Sequence, residues 1–251
     1  MLLGGLQKTT LIDFPGRVAC TVFTVGCNFR CPFCHNKDLV VLRDYKNKRI
    51  DRVEEEEFFE FLKKRKKLLD GVCITGGEPT LQQDLIEFCQ KIKKLDLEVK
   101  LDTNGSNPSM LERLIERELV DFIAMDVKTT FSEYGKAVGI NVSTQERGNG
   151  RFWIGDIKQS IKLILKSSIE YEFRTTVVPG IHNKKNLVKL ARQLVDLSGG
   201  EQLNWTLQKF RPQNCLDPAY LKIIPFSDEQ MKVFLKLVQK VLPEAKLREE
   251  S

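Results

Sequence analysis

The chain has 251 residues, with 41% apolar and 29% charged side chains, which is typical of a globular protein of one large or two small domains. It has no run of roughly 18 or more apolar residues and no basic start before a long apolar stretch, so we expect no membrane span and no secretory signal. The expected location is cytoplasmic, and the formal net charge of +6 suits acidic partners without indicating nucleic acid.

Strand and helix patterns alternate along the chain, and turn-forming residues separate them. The predicted strands are residues 18–25, 72–75, 97–102, 122–127, 171–178 and 203–209. The predicted helices are residues 52–69 with Asp51 as cap, a helix opening at Thr80 with Gln83 in a capping-box pattern, one after Asn107, a short one after residue 127, and 156–166, 184–197 and 228–242.

Six repeated βα units predict an α/β protein with a parallel sheet and helices outside it. A barrel or partial barrel is the favoured architecture, and a doubly wound open sheet is the alternative. Residues 139–155 are rich in glycine and predict a loop or insertion, whereas residues 210–226 predict irregular structure.

Three of the predicted strands alternate polar and apolar residues, although buried parallel strands are usually apolar on both faces. If helices cover the apolar faces, the polar faces line an interior suited to a polar ligand; edge or solvent-facing positions are the alternative. The polar residues are Glu98, Lys100 and Asp102 in one strand, Glu172, Arg174 and Thr176 in a second, and Asn204, Thr206 and Gln208 in a third.

Three of the seven cysteines crowd into eight residues, as Cys27, Cys31 and Cys34. In a reducing compartment this spacing favours metal binding over disulfides. The segment follows a predicted strand, where parallel barrels place their active sites. Three thiolates can hold three corners of an iron–sulfur cluster and leave one iron open. A zinc site would need a fourth ligand, and His35 is poorly placed for it because it adjoins Cys34.

The C-x3-C-x2-C motif resembles that of the radical S-adenosylmethionine superfamily. Residues 5–16 (GLQKTTLIDFPG), 23–36 (FTVGCNFRCPFCHN) and 210–213 (FRPQ) are similar to the activating proteins of anaerobic ribonucleoside-triphosphate reductase. The resemblance covers nearly the whole chain. It implies a partial (β/α)6 barrel in a single domain, with a core of about residues 16–210 and an extension at 211–251. No second cysteine cluster is present in the sequence, so one iron–sulfur centre is expected.

The resemblance also implies roles for residues at the predicted strand ends. Phe33 would lie near the adenine, Glu78 in a glycine-rich motif would meet the methionine amino group, and Asp126 would help to hold a monovalent cation. Arg174 on a polar face could pair with the cofactor carboxylate. The alternatives are a helix cap for Asp126, a surface lysine for Lys128 and a surface histidine for His182. The implied cofactor-binding residues are Phe33, Gly76, Gly77, Glu78, Pro79, Asp102, Thr103, Asn104, Asp126, Lys128, Arg174 and His182.

The implied activity is reductive cleavage of S-adenosyl-L-methionine at a [4Fe–4S] cluster, which yields a 5′-deoxyadenosyl radical. That radical would generate a glycyl radical on anaerobic ribonucleoside-triphosphate reductase, with flavodoxin or ferredoxin as electron donor. The alternatives are a radical enzyme for a small molecule, similar to 7-carboxy-7-deazaguanine synthase, and a non-enzymatic metal-binding module. No nucleic acid and no membrane partner is expected.

Overall fold

Residues 1–40, 52–143 and 152–248 are described by the computed structural model. They contain an eight-stranded sheet with the order β1-β2-β3-β4-β5-β8-β9-β10 and a two-stranded pairing of β6 with β7. The strands are β1 (Leu3–Thr10), β2 (Ala19–Thr24), β3 (Gly71–Gly76), β4 (Glu98–Thr103), β5 (Phe122–Asp126), β6 (Val142–Ser143), β7 (Phe152–Trp153), β8 (Glu170–Val177), β9 (Trp205–Lys209) and β10 (Lys246–Leu247).

Helices follow the parallel strands, as the alternating pattern predicts. The α-helices are α1 (Lys37–Val40), α2 (Glu55–Arg65), α3 (Leu85–Lys93), α4 (Pro108–Glu116), α5 (Tyr134–Val138), α6 (Ile154–Lys166), α7 (Lys184–Ser198) and α8 (Asp228–Val238). Two short 3₁₀ helices lie at Pro79–Leu81 and Pro218–Lys222. In the described part of the chain, no helix combines the length and apolar character that crossing a membrane requires.

The chain divides into two compact units, and the first comprises Met1–Asn28 and Asn36–Ala124. In it β1 pairs antiparallel with β2, and β2, β3 and β4 are parallel neighbours. Their register places Cys73 of β3 between Thr21 of β2 and Lys100 of β4. A buried cluster of Phe14, Ala19, Phe122 and Ala124 belongs to the core of this unit.

The second unit comprises Phe29–His35 and Met125–Ser251. Here β8, β9 and β10 are parallel neighbours. Trp205 of β9 is fully buried, and its indole Nε1 donates to the hydroxyl of Thr175 on β8 at 3.0 Å, which satisfies the one polar atom of its ring. Helix α7 begins at a capping box formed by Asn183 and Asn186.

The six predicted strands are confirmed as β2, β3, β4, β5, β8 and β9, each within two residues of its expected ends. The Asn107 cap of α4 is also confirmed, because its side chain accepts a hydrogen bond from the amide of Met110. Strands β1, β6, β7 and β10 were not anticipated, and β6 and β7 fall in the stretch 139–155 that was predicted as a loop or insertion. Strand β1 is rich in glycine and polar residues, and the other three span only two residues each, so none carries a clear strand pattern.

The predicted helix start at Thr80 is wrong. The hydroxyl of Thr80 donates to Glu78, and the backbone there forms a 3₁₀ turn. Helix α3 begins five residues later, after Asp84. The suggested cap Asp51 and residues 144–151 of the glycine-rich stretch lie outside the described residues.

The polar rows of β4 and β8 are largely enclosed, although the Glu98 side chain at the start of β4 is 40% exposed. Lys100, Glu172 and Arg174 are each no more than 9% exposed, and Thr206 on β9 is 5% exposed. Each finds a polar partner within its own unit: Lys100 pairs with Asp102, Arg174 pairs with Asp126, and the Thr206 hydroxyl donates to Glu172 at 2.6 Å. Buried polar groups need such partners, so these rows keep their charge inside the fold.

Candidate functional site

The first cysteine of the motif, Cys27, lies in the first unit just beyond the end of β2. The amide of Gly26 donates to Leu39 at 2.7 Å and that of Cys27 donates to Val40 at 3.2 Å, so α1 supports the chain at this point. From the end of β4, the side-chain amide of Asn104 lies 3.9 Å from the Cys27 sulfur. The thiol of Cys27 therefore has a polar donor beside it.

The other two cysteines, Cys31 and Cys34, belong to the second unit. The amide of Cys34 donates to the carbonyl of Cys31 at 3.0 Å, which closes a tight turn between them. The amide of Arg30 donates to Val138 at the end of α5 at 2.8 Å. Next to that contact Gly139 has φ +64°, and a Cβ there would lie 2.2 Å from the carbonyl oxygen of Arg30, so only glycine fits.

All seven cysteines are among the described residues, and none forms a disulfide. Cys20, Cys73 and Cys89 are fully buried and belong to the core. Burial raises the pKa of Cys20 and of Cys89 to about 12. Among the residues that the structure describes, no three His, Cys, Asp or Glu side chains are grouped as ligands of one metal ion. Such a group would serve one metal ion, whereas the thiolates of a [4Fe–4S] cluster bind separate irons.

The glycine-rich turn after β3 packs against the backbone of the first unit. A Cβ at Gly76 (φ +111°) would lie 2.5 Å from backbone atoms of Thr24, and one at Gly77 would lie 2.2 Å from the carbonyl oxygen of Gly26. The amides of Gly77 and Glu78 donate to Thr24 and Gly26, both at 2.8 Å. The two glycines thus allow close approach to the chain that leads into Cys27, and the cofactor binding that the resemblance implies for them remains a prediction.

The carboxylate of Glu78 is buried and bonded within the protein. One oxygen accepts from the hydroxyl of Thr103 at 2.7 Å and from the amide of Thr80 at 3.1 Å, and the other accepts from the amide of Asn104 at 2.7 Å. Burial raises the pKa of Glu78, and these hydrogen bonds oppose that rise. Glu78 therefore ties the glycine-rich turn, including Pro79, to the end of β4. Its contact with a methionine amino group remains a prediction.

The end of β4 brings together further predicted residues. Asp102 forms an ion pair with Lys100 and accepts from the hydroxyl of Thr75 at 3.2 Å. The side-chain amide of Asn104 donates to Asn28 at 3.0 Å. Lys100 and Asn28 were not among the predicted site residues. The alternation of β4 placed Lys100 on the same face as Asp102, and that was the available signal.

In the second unit Asp126, Lys128, Arg174 and His182 form one cluster. The Lys128 ammonium lies 2.8 Å and the Arg174 Nε lies 3.0 Å from the Asp126 carboxylate. Burial would raise the pKa of Asp126, but Arg174 and Lys128 hold it well below its ordinary value. Burial would likewise lower the pKa of Lys128, but Asp126 and then Cys31 hold it above its ordinary value.

These charges bear on two predicted roles. The structure pairs Arg174 with Asp126, where sequence reasoning paired it with a cofactor carboxylate. Two protein cations adjoin the carboxylate that was expected to hold a monovalent cation. The cofactor contact of Arg174 and the cation at Asp126 stay predictions.

His182 is buried in this cluster, so the alternative of a surface histidine is wrong. Its Nδ1 accepts from the amide of Val178 at 2.9 Å, and its Nε2 lies 2.9 Å from the carbonyl oxygen of Lys128. Burial lowers the pKa of His182 to about 4. The neutral ring therefore joins the segment after β8 to the segment after β5.

Phe33, the residue implied to lie near the adenine, is 5% exposed. Its ring centroid is 6.4 Å from that of Tyr220. An aromatic face in this loop suits stacking on a base, and that role remains a prediction.

Comparison with known protein sequences gives the same family as the cysteine motif. A model of the radical SAM superfamily matches residues 21–194. A protein of Methanocaldococcus jannaschii that is named a glycyl-radical enzyme activating enzyme is 30% identical over 249 residues, 98% of this chain and 95% of that protein. The pyruvate formate-lyase-activating enzyme of Clostridium pasteurianum is 25% identical over 204 residues, 79% of this chain and 78% of that enzyme.

Solved structures resemble the fold. SuiB of Streptococcus suis, bound to S-adenosylmethionine, has a TM-score of 0.62 at 14% identity, covering 91% of this chain and 49% of SuiB, so this chain spans about half the length of SuiB. TYW1 with a lysine-pyruvate adduct has a TM-score of 0.56 at 16% identity, covering 89% of this chain and 74% of TYW1. This likeness concerns the fold alone. It confirms an α/β partial barrel and not a doubly wound open sheet. With its family match across most of the chain and a relative of nearly equal extent, this chain belongs to the radical SAM superfamily and is an enzyme.

Proposed function

We propose that this enzyme activates a glycyl-radical enzyme, and that its target is anaerobic ribonucleoside-triphosphate reductase. The observation that carries the activase assignment is the near full-length similarity to the Methanocaldococcus jannaschii protein of that name. The resemblance of residues 5–16 and 23–36 to reductase activating proteins supports the narrower target. The Clostridium pasteurianum relative acts on pyruvate formate-lyase by its name, and that target is the competing assignment.

Membership of the family implies a [4Fe–4S] cluster and S-adenosylmethionine, and the residues present fit both. Cys27, Cys31 and Cys34 supply three thiolates, the ligand type that such clusters use. Lys128, in the same unit, interacts electrostatically with Cys31. Asn104 offers an amide donor to the Cys27 sulfur.

When bound, the reduced cluster and S-adenosylmethionine together supply the 5′-deoxyadenosyl radical that removes a hydrogen atom from the target glycine. The protein's own residues bind, orient and shield. Glu78 holds the glycine-rich turn against β4 through four hydrogen bonds from Thr80, Thr103 and Asn104. Lys128 and Arg174 supply positive charge suited to the methionine carboxylate, held in place by Asp126.

The remaining proposed contacts come from the strand ends. Gly76, Gly77 and Pro79 shape the turn toward the amino group, and Asp102 and Thr103 present polar atoms suited to ribose hydroxyls. Phe33 stacks on the adenine, and His182 orients the segment that carries Lys128. We also propose flavodoxin or ferredoxin as the electron donor, because the net charge of +6 favours an acidic protein, and a cytoplasmic location.

The target is tested with the anaerobically reconstituted enzyme, a reductant and S-adenosylmethionine, mixed separately with the reductase and with pyruvate formate-lyase. Electron paramagnetic resonance should show a glycyl radical on the reductase. Cofactor cleavage with no radical on the reductase would refute the target, and a radical on pyruvate formate-lyase alone would reassign it.

The cluster site is tested by Cys31→Ala against Cys89→Ala. The first removes a proposed ligand, and the second alters a buried cysteine of α3 outside the motif. Iron content and methionine release should fall with Cys31→Ala and persist with Cys89→Ala. Full iron content and methionine release in Cys31→Ala would contradict the ligand assignment.

A further inference from the structure

The segment Phe210–Tyr220, which we name the bracing segment, lies along the cysteine loop Cys31–His35 within the second unit. The amide of Leu216 donates to the carbonyl of Cys34 at 3.1 Å, and the amide of Asp217 donates to the carbonyl of Pro32 at 2.9 Å. The cysteine loop is part of no helix or strand, so these two carbonyls find their partners in a distant part of the chain.

Two side chains add to this backbone pairing. The side-chain amide of Asn214 donates to the carbonyl of His35 at 2.8 Å across 179 residues of sequence. In the other direction, the ring Nε2 of His35 donates to the carbonyl of Arg211 at 2.7 Å. Asn214 has φ +50°, a left-handed conformation that asparagine tolerates better than most residues. The residue next to the last motif cysteine is therefore held from both sides.

Aromatic rings close the same contact. Phe33 lies 6.4 Å from Tyr220, Phe210 lies 6.0 Å from His35, and Phe210 and Tyr220 meet edge to face at 6.4 Å between centroids. Phe210 is fully buried and Cys215 is 2% exposed, so the bracing segment is anchored in the core of the second unit. Fixing a loop in one conformation costs conformational entropy at each ordered residue, and anchoring contacts such as these offset that cost.

We propose that the bracing segment positions the cysteine loop for cluster binding, and that Asn214 is a positioning residue for the sulfurs of Cys31 and Cys34. The proposal rests on the proposed function, because it takes these cysteines as cluster ligands. The hydrogen bonds to Pro32, Cys34 and His35 fix the backbone on both sides of Cys34. A loop fixed in this way presents its thiolates in one arrangement, which slows the release of iron and the entry of oxygen.

The test compares Asn214→Asp with Asn204→Asp. Asn214→Asp keeps the size of the side chain and its tolerance of positive φ, but its carboxylate cannot donate to His35. Asn204 makes the same kind of bond in the same unit, from its side-chain amide to the carbonyl of Tyr171 at 2.9 Å, away from the cysteine loop. It is therefore a matched control for the loss of one amide donor.

Both variants and the wild type are reconstituted without oxygen, and iron per chain, the bleaching rate of the visible cluster absorption in air and the resonance spectrum of the reduced cluster are measured. Asn214→Asp should lose its cluster about two- to tenfold faster than wild type, the range expected for one lost hydrogen bond, with an altered spectrum. Asn204→Asp should match wild type. Equal bleaching rates and spectra for both variants would overturn the proposal.

Asn214→Gly covers the case in which the aspartate variant does not fold. Glycine accepts the positive φ and removes the amide, so the same faster cluster loss is expected. Wild-type cluster stability in a folded Asn214→Gly protein would equally overturn the proposal. No target protein enters these measurements. A wild-type protein without iron would refute the proposed function itself, whereas iron retained equally by all variants would refute only the bracing role.

Discussion

The buried imidazole of His182 should make the stability of this protein depend on pH. Its Nε2 bonds the carbonyl of Lys128, which only accepts, so Nε2 carries the hydrogen and Nδ1 accepts from the amide of Val178. A proton added at Nδ1 would face that amide hydrogen. Burial lowers the pKa of the folded ring from 6.5 to about 4 and keeps it neutral, although the hydrogen bond to the Lys128 carbonyl acts in the opposite direction.

The sign and size follow from proton linkage. In the unfolded chain His182 binds a proton below about pH 6.5, but in the folded protein it does so only near pH 4. Its contribution to stability is therefore complete above pH 6.5 and is lost as the pH falls toward 4. The total is roughly 3 kcal/mol, of which about 2 kcal/mol lies between about pH 7 and pH 5.

The assay is urea unfolding without oxygen at about pH 7 and pH 5, with wild type and His182→Asn. Asparagine offers an oxygen to the amide of Val178 and does not titrate. The raised pKa of Glu78 acts in the opposite direction, but it is common to both proteins and cancels in the difference. His182→Asn should lose about 2 kcal/mol less than wild type between the two pH values. An equal loss in both proteins would refute the reasoning.

Three further substitutions probe the strand ends. Gly77→Ala should abolish S-adenosylmethionine binding in equilibrium dialysis, because its Cβ would lie 2.2 Å from a backbone oxygen. The control Gly5→Ala, whose Cβ has its nearest contact at 3.5 Å, should bind normally. Equal binding by the two variants would contradict the close-packing argument. Glu78→Gln should lower the unfolding free energy by about 1–3 kcal/mol in urea titration, because an amide group would face hydrogen-bond donors, and an unchanged midpoint would exclude the tie to β4. Arg174→Gln should weaken cofactor binding and lower the unfolding free energy by roughly 1–3 kcal/mol, since Asp126 loses one of its cations; unchanged values for both would remove Arg174 from the site.

Local sequence patterns predicted much of the fold. The six strands β2 to β5, β8 and β9 follow from apolar periodicity, and the start of α4 follows from Asn107 and Pro108. Both signals depend only on residues that are close in sequence, so they can be recognised without knowledge of the tertiary structure. The false helix start at Thr80 shows the limit, because Glu78 takes its hydroxyl and stabilises a 3₁₀ turn.

The partners of the site residues were beyond local reasoning. Sequence placed Glu78 and His182 after strands and Arg174 within one, but their hydrogen bonds run to Asn104, Asp126 and Lys128, which lie up to 54 residues away. Which polar atoms meet depends on the register of the neighbouring strands, and one residue of slip would send each side chain to the other face. The sequence therefore assigned these groups to a ligand, whereas in the structure they also form hydrogen bonds within the protein.

The sequence by itself determined the order of βα units, the three closely spaced thiols and hence the family. Only the tertiary structure decided what surrounds those thiols: the Asn104 amide near Cys27, the Lys128 charge near Cys31 and the bracing segment along Cys34. The physical reason is the separation along the chain of the residues that interact. Periodicity and motif spacing are carried by neighbours in the chain, whereas the hydrogen bonds of an irregular loop are completed by whichever distant segment the packed core brings beside it.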